Sequence, residues 1–195
     1  MNHITASTAI HNLYGKIPHV ELEALPNLGR EAQTIVHHIL KQMSRTNYFD
    51  INSDFAPYTM FLQGNPYEHV KLDSVLDSFE KLEKNGRTAY PLGIQFQADW
   101  RGKPNNPTPG GIPIADYFQE LFGYQPKEPH LTFYYGAQFI IPRGFILSKS
   151  PYFYRKMYQR LMNPNEQQLQ TSAPWPYEMM WCQYIFNPAL QIWKF

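Results

Sequence analysis

A single cysteine, Cys182, in a chain of 195 residues rules out an intrachain disulfide and a cysteine-based zinc site. Charge of one sign is equally scarce. The formal net charge is +1 and no run of Lys or Arg occurs, so nothing steers the chain toward nucleic acid, and no nucleic-acid partner is expected. No apolar run reaches the roughly 18 residues a membrane span needs. The start, Met1-Asn2-His3-Ile4-Thr5, lacks the positive charge and apolar block of a secretory signal. A soluble protein of a reducing compartment, cytoplasmic, is the expectation. Standard catalytic signatures are missing too: there is no glycine-rich phosphate loop, no nucleophile elbow and no His-Glu-x-x-His. Asp-x-Asp, which clamps metal and diphosphate in many nucleotide-sugar enzymes, is absent, Asn52-Ser53-Asp54 coming nearest.

What the chain does have is aromatic residues, 16% of the total, mostly Tyr and Phe. Such rings either fill a core and its rim or stack on sugars and bases. Met179, Met180 and Trp181 beside Cys182 predict a buried structural thiol rather than a nucleophile. The length suits one domain over residues 1–195, with 1–24 irregular apart from a short strand near 9–13.

The pattern then alternates. Ala32, Ile35, Val36, Ile39, Leu40 and Met43 keep helical spacing, predicting a helix over about 29–43 with Asn27 as its N-cap. Residues 58–63 read as a buried strand ending at Gly64-Asn65-Pro66, and 72–84 as a second amphipathic helix. Strands are predicted at 92–97 and 132–141, and helices at 114–122, 151–162 and 175–186. Prolines and glycines make 102–113 a loop, either a lid or a structural wrap. This alternation predicts an α/β fold of two or three layers, with a mixed, mainly parallel sheet flanked by helices.

Candidate site residues gather where elements begin or end. In the first helix Arg30 and Glu31 occupy the first turn, and Glu31 lies seven residues before His38 along the edge of the apolar stripe. A direct bond across two turns is not expected, and a shared ligand or metal is the natural link. The alternative is a helix-edge histidine packed on aromatics and a glutamate favouring the helix dipole. Arg30 and His37 fall on the more solvated side. Gln63-Gly64-Asn65-Pro66-Tyr67-Glu68-His69 follows a strand, offering amides, a close backbone approach and an acid/base pair, or else a plain polar turn. Gln138 interrupts an apolar strand and needs a buried partner, as a structural donor or a site residue. Glu178, among bulky apolar neighbours, needs a cation, a metal or a hydroxyl, with Arg30, Arg101 and Arg143 as candidate partners.

Four segments in order carry a resemblance: Leu25-Pro26-Asn27-Leu28-Gly29-Arg30-Glu31 with His37-His38-Ile39; Phe61-Leu62-Gln63-Gly64-Asn65-Pro66-Tyr67-Glu68-His69; Gly136-Ala137-Gln138-Phe139; and Trp175-Pro176-Tyr177-Glu178. Over about residues 25–187 the chain resembles an uncharacterised family, largely fungal with some viral members, catalogued as domain of unknown function 3431. More distantly it is similar to glycosyltransferase-like domains of the GT-A type, in a shortened form. That family's members begin with a strand ending in Arg-Tyr-Asn-Glu, which this chain lacks.

The resemblance implies a glycosyltransferase-like protein acting on a sugar, nucleotide sugar or other small polar substrate at the C-terminal rim of the sheet. Glu31, His38, His69 and Glu178 are then the catalytic candidates, with Glu178 or His69 as acid/base. Asn27, Arg30, Gln63, Asn65, Gln138 and Arg143 would bind substrate, the arginines offsetting charge on a leaving group. The cofactor is left open, a divalent metal being one option. Two other classes stay in play. One is a non-catalytic glycan- or peptide-binding module. The other is a metal- or acid/base-dependent tailoring enzyme of natural-product or peptide biosynthesis, with His38, Glu68 and His69 as ligands.

Overall fold

The computed structural model describes residues 23–26, 29–45, 55–63, 77–78, 80–81, 84, 89–100, 114–163 and 174–190. The expected strand near 9–13, the loop at 102–113, and Asn27, Asn65, Glu68, His69 and Arg101 lie outside them. So does most of the predicted helix 72–84, whose described positions 77, 78, 80, 81 and 84 are helical.

Helix α1 spans Arg30–Arg45. Its three- and four-residue apolar spacing buries Ala32, Ile35, Val36, Ile39 and Met43 on one stripe, with Glu31 in the first turn and Arg45 in the last, the dipole-favoured ends. Val36 and Ile39 are fully excluded from water, each contributing about 2 kcal/mol by burial. At the start of α1 the Gly29 carbonyl accepts from Gln33 N at 3.1 Å. Helix α2 (Ile114–Phe122) ends at Gly123, whose N–H returns to the Gln119 carbonyl at 2.8 Å. A short α3 (Arg143–Ile146) leads to α4 (Pro151–Leu161), where the Ser150 hydroxyl caps Phe153 N and Pro151 sits in the first turn.

The described residues also form five strands: β1 (Tyr58–Phe61), β2 (Tyr90–Pro91), β3 (Gln95–Asp99), β4 (His130–Tyr134) and β5 (Phe139–Pro142). The fold is mixed α/β, and here the expectation of a mainly parallel sheet is corrected. β5 lies between β1 and β2, β3 pairs with β4, and every one of these described pairings is antiparallel. Nothing in this arrangement supports a GT-A-like sheet. The misreading has a physical cause. β5 is buried at all four positions, and an unbroken apolar run reads as a strand of a parallel sheet covered on both faces.

The two sheets are two ends of one ribbon. Pro91 faces Phe139 in one and Gln95 faces Tyr134 in the other, so three residues (92–94) lie opposite four (135–138). Leu92 N to Gln138 O at 3.0 Å and Tyr135 N to Ile94 O at 3.1 Å hold the two chains together across this bulge. Gly136 takes φ +77° there, and Gly93 passes so close to Tyr135 that a Cβ would stand 2.0 Å from its carbonyl oxygen. The predicted single strand at 132–141 is therefore broken at its centre, and 58–63 is a strand only as far as Phe61, exposed at Tyr58 and buried at Phe61.

The predicted helix 175–186 is two structures. An α-helix, α5, covers Pro174–Met180, and a π-helical turn continues over Trp181–Ile185. α1 packs on both α4 and α5, while α5 and the π turn pack on β4. The C-terminal segment is thus the layer between the first helix and the ribbon. One aromatic row crosses this stack: His38 meets Phe61 edge-on at 5.8 Å, Phe61 meets Phe139 at 5.4 Å, and Phe139 meets Trp181 at 5.8 Å.

Candidate functional site

The bulge and the C-terminal segment enclose a narrow cleft lined by Gly136, Gln138, Glu178, Trp181 and Gln183, with Pro91 at its edge. Its free volume, about 10 Å³, is that of a single water. Each polar group arrives there for a local reason. The positive φ of Gly136 turns the chain so that its N–H donates to Glu178 Oε1 at 3.0 Å, a charge-assisted bond across 42 residues. Gln138 is only 1% exposed, since it directly precedes fully buried β5. Its amide nitrogen stands 3.5 Å from Gln63 Oε1, at the long end of hydrogen bonding. Gln63 reaches it because Phe61, two residues earlier, pairs with Phe139.

A second, wider hollow of about 430 Å³ opens at the start of α1, between Leu25 and Pro26 on one side and Arg30, Glu31, Gln33 and Thr34 on the other. Arg30 has φ +50°, uncommon for a residue with a side chain. Its guanidinium lies 5.5 Å from the Trp175 ring centroid. Trp175 precedes Glu178 by one turn of α5, so the groove and the cleft flank the same helix.

The described residues thus divide the expected set over two hollows that share no lining residue. Gln138 and Glu178 line the cleft, with Gln63 reaching only Gln138 beside it; Arg30 and Glu31 line the groove. His38 belongs to neither, its ring packed against Phe61. Burial holds the His38 imidazole below its usual pKa, and Lys41, His37 and Arg45 push the same way, favouring its neutral form. Glu31 lines the groove, whereas His38 packs on Phe61. Glu23, brought alongside the middle of the helix, accepts from Lys41 at 2.7 Å and stands 3.1 Å from His37 Nε2. The Lys41 hydrogen bond leads in holding this carboxylate below its usual pKa.

Arg143 is likewise elsewhere. It sits at the far end of β5 from Gln138, where its guanidinium donates to the Phe55 carbonyl at 3.2 Å and its N–H to Pro57 O at 2.9 Å. Glu178, for which a cation, a metal or a hydroxyl donor was expected, accepts the Gly136 backbone N–H. Cys182 is part-buried, and burial pushes its thiol above the usual value, away from an activated thiolate. No group of three or more His, Cys, Asp or Glu able to hold a metal occurs among the described residues. No described helix is long and apolar enough to cross a membrane.

Sequence reasoning missed Trp181 and Gln183, because nothing in Met-Met-Trp-Cys-Gln announces a π turn. A wider register there turns neighbouring side chains off the α-helical face, and such turns recur at functional sites. The one available signal was a tryptophan next to the glutamate already singled out. No family model matches the chain, and no curated protein and no solved structure shows significant similarity to it.

Proposed function

We propose that the protein binds a sugar or similarly hydroxylated small molecule at the cleft between the ribbon bulge and α5, with glycosyl transfer as its activity. The observation that supports this reading best is the meeting of Gln138 and Glu178, from distant parts of the chain, at one hollow, with the Gln63 amide against that of Gln138. Amides both donate and accept, and a carboxylate accepts twice, so together they match the paired hydroxyls of a sugar ring. Aromatic neighbours suit its C–H face. The cleft admits one oxygen-sized group, so the rest of the ligand lies over its mouth. In this reading Glu178 is the acid/base, and Arg30 on Trp175, one turn away, offsets a charged leaving group.

Isothermal titration with free monosaccharides and with uridine and guanosine diphosphate sugars, with and without manganese, tests the reading. Saturable heat from at least one is the expected result; silence throughout removes it. A second reading, non-catalytic sugar binding, is favoured by one observation: Glu178 already holds Gly136 N–H and serves as an anchored acceptor. Glu178→Gln separates the two. Transfer by an acid/base falls about 100-fold or more in that variant with affinity little changed, whereas a binding module has no turnover to lose.

A further inference from the structure

Trp181 is 2% exposed, and its indole N–H has no hydrogen-bond partner among the described residues. A buried donor left without an acceptor costs about 1–3 kcal/mol, so natural structures tolerate few of them. The position makes the cost informative. Trp181 opens the π turn and lines the same cleft as Gln138 and Glu178. Its ring is held firmly: Phe186 stacks on it at 5.6 Å with 19° between planes, and Phe139 lies tilted at 5.8 Å. With neighbours fixing the ring, the N–H cannot swing toward another acceptor without breaking this packing.

We infer that Trp181 Nε1–H is the donor for one hydroxyl oxygen of the ligand, and that the cleft is a subsite for a single hydroxyl group. The inference rests on the sugar-binding reading and deepens it. A volume of about 10 Å³ admits one oxygen and excludes a phosphate or a whole ring. The donor meets the oxygen's lone pairs, while Glu178 and Gln138 line the same space with acceptor oxygens suited to the hydroxyl proton. A hydroxyl both accepts and donates, so it fits this mixed set. An ether or a methyl group offers no proton to the acceptors, and an ammonium has no lone pair for the indole. The subsite therefore selects polyols over amines and over their O-methylated analogues.

Proton–nitrogen correlation spectra of the full chain resolve an indole N–H for each of the four tryptophans. Trp181→Phe, which keeps a ring on Phe186 and Phe139, assigns the one of interest. Glucose, galactose, mannose, N-acetylglucosamine and UDP-glucose are then titrated in. The expected result is a saturable shift of the Trp181 resonance with any member that binds, and about tenfold weaker binding to Trp181→Phe. If that variant does not fold, Trp100→Phe, Trp175→Phe and Trp193→Phe assign the resonance by elimination, and titration of the unaltered chain decides. Binding that leaves the Trp181 resonance unmoved overturns this inference, with water as the indole's partner, and leaves the sugar-binding reading standing. Absence of binding by every member and by guanosine diphosphate sugars, with and without manganese, overturns both.

Discussion

Lys149 is the side chain whose surroundings differ most from its sequence context. Ser148-Lys149-Ser150 reads as a solvated turn, yet Lys149 is 1% exposed, its ammonium donating to the carbonyls of Asn187 at 2.8 Å and Leu190 at 2.6 Å. The Phe122 ring stands 5.9 Å away, and no carboxylate is paired with it among the described residues. Carbonyl dipoles only partly replace lost hydration, and burial pushes the amine down to about 8. The sign follows directly. The unfolded chain holds this proton up to its ordinary value of 10.5, so above about pH 8 the unfolded state binds more protons, and the Lys149 contribution to stability rises with pH. Below about 8 both states are protonated and the cost of burying the charge is fully present. Cys182 acts oppositely, since burial raises its thiol above the ordinary 9.0 and its contribution falls with pH above that value. Comparing urea unfolding of the protein with that of Lys149→Met from about pH 7 to 10 cancels the thiol. The difference in stability between the two is expected to shift in favour of the lysine form as pH rises; a constant difference would show that the amine titrates normally.

The elements were legible in proportion to how local their causes are. Helix α2 over Ile114–Phe122 and helix α4 from Pro151 follow from side-chain period, a capping serine and a terminating glycine, all within one or two turns. Strand pairing depends on residues tens of positions away, which is why β5 was read into a parallel sheet and 132–141 into one strand. Polar Gln138 inside an apolar run is legible as a buried polar position, and it lines the cleft, whereas the bulge beside it depends on Gly93 meeting Tyr135 across the ribbon. That contact yields a sharp test. In Gly93→Ala the new methyl would sit 2.0 Å from the Tyr135 carbonyl oxygen, a backbone atom, so the ribbon itself must shift. The expected loss is about 3 kcal/mol, at the upper end of overpacking, read as a lower urea midpoint. A change below about 0.5 kcal/mol, within the range of a neutral surface substitution, would mean that the ribbon does not approach so closely.

At the scale of the whole molecule, the C-terminal layer joins the first helix to the ribbon. Most of its attachment is apolar, through Tyr177, Met180 and Trp181, all nearly excluded from water. Glu178 adds the polar connection, tying α5 to the bulge through Gly136 N–H. Its structural and chemical roles can be separated because they need different things from the side chain. Holding a buried N–H requires only an acceptor oxygen, which glutamine keeps; acid/base chemistry requires an ionisable group, which glutamine lacks. Glu178→Ala leaves the Gly136 donor unanswered and is expected to cost about 1–3 kcal/mol, with faster hydrogen exchange at the Gly136 amide. Glu178→Gln exchanges a charged acceptor for a neutral one and is expected to cost roughly 1 kcal/mol or less. Equal losses in the two variants would mean that the negative charge, rather than the hydrogen bond, holds the layer in place. Near-zero loss in both would mean that apolar packing alone joins α5 to the ribbon, leaving the glutamate with no structural reason to stand at the cleft.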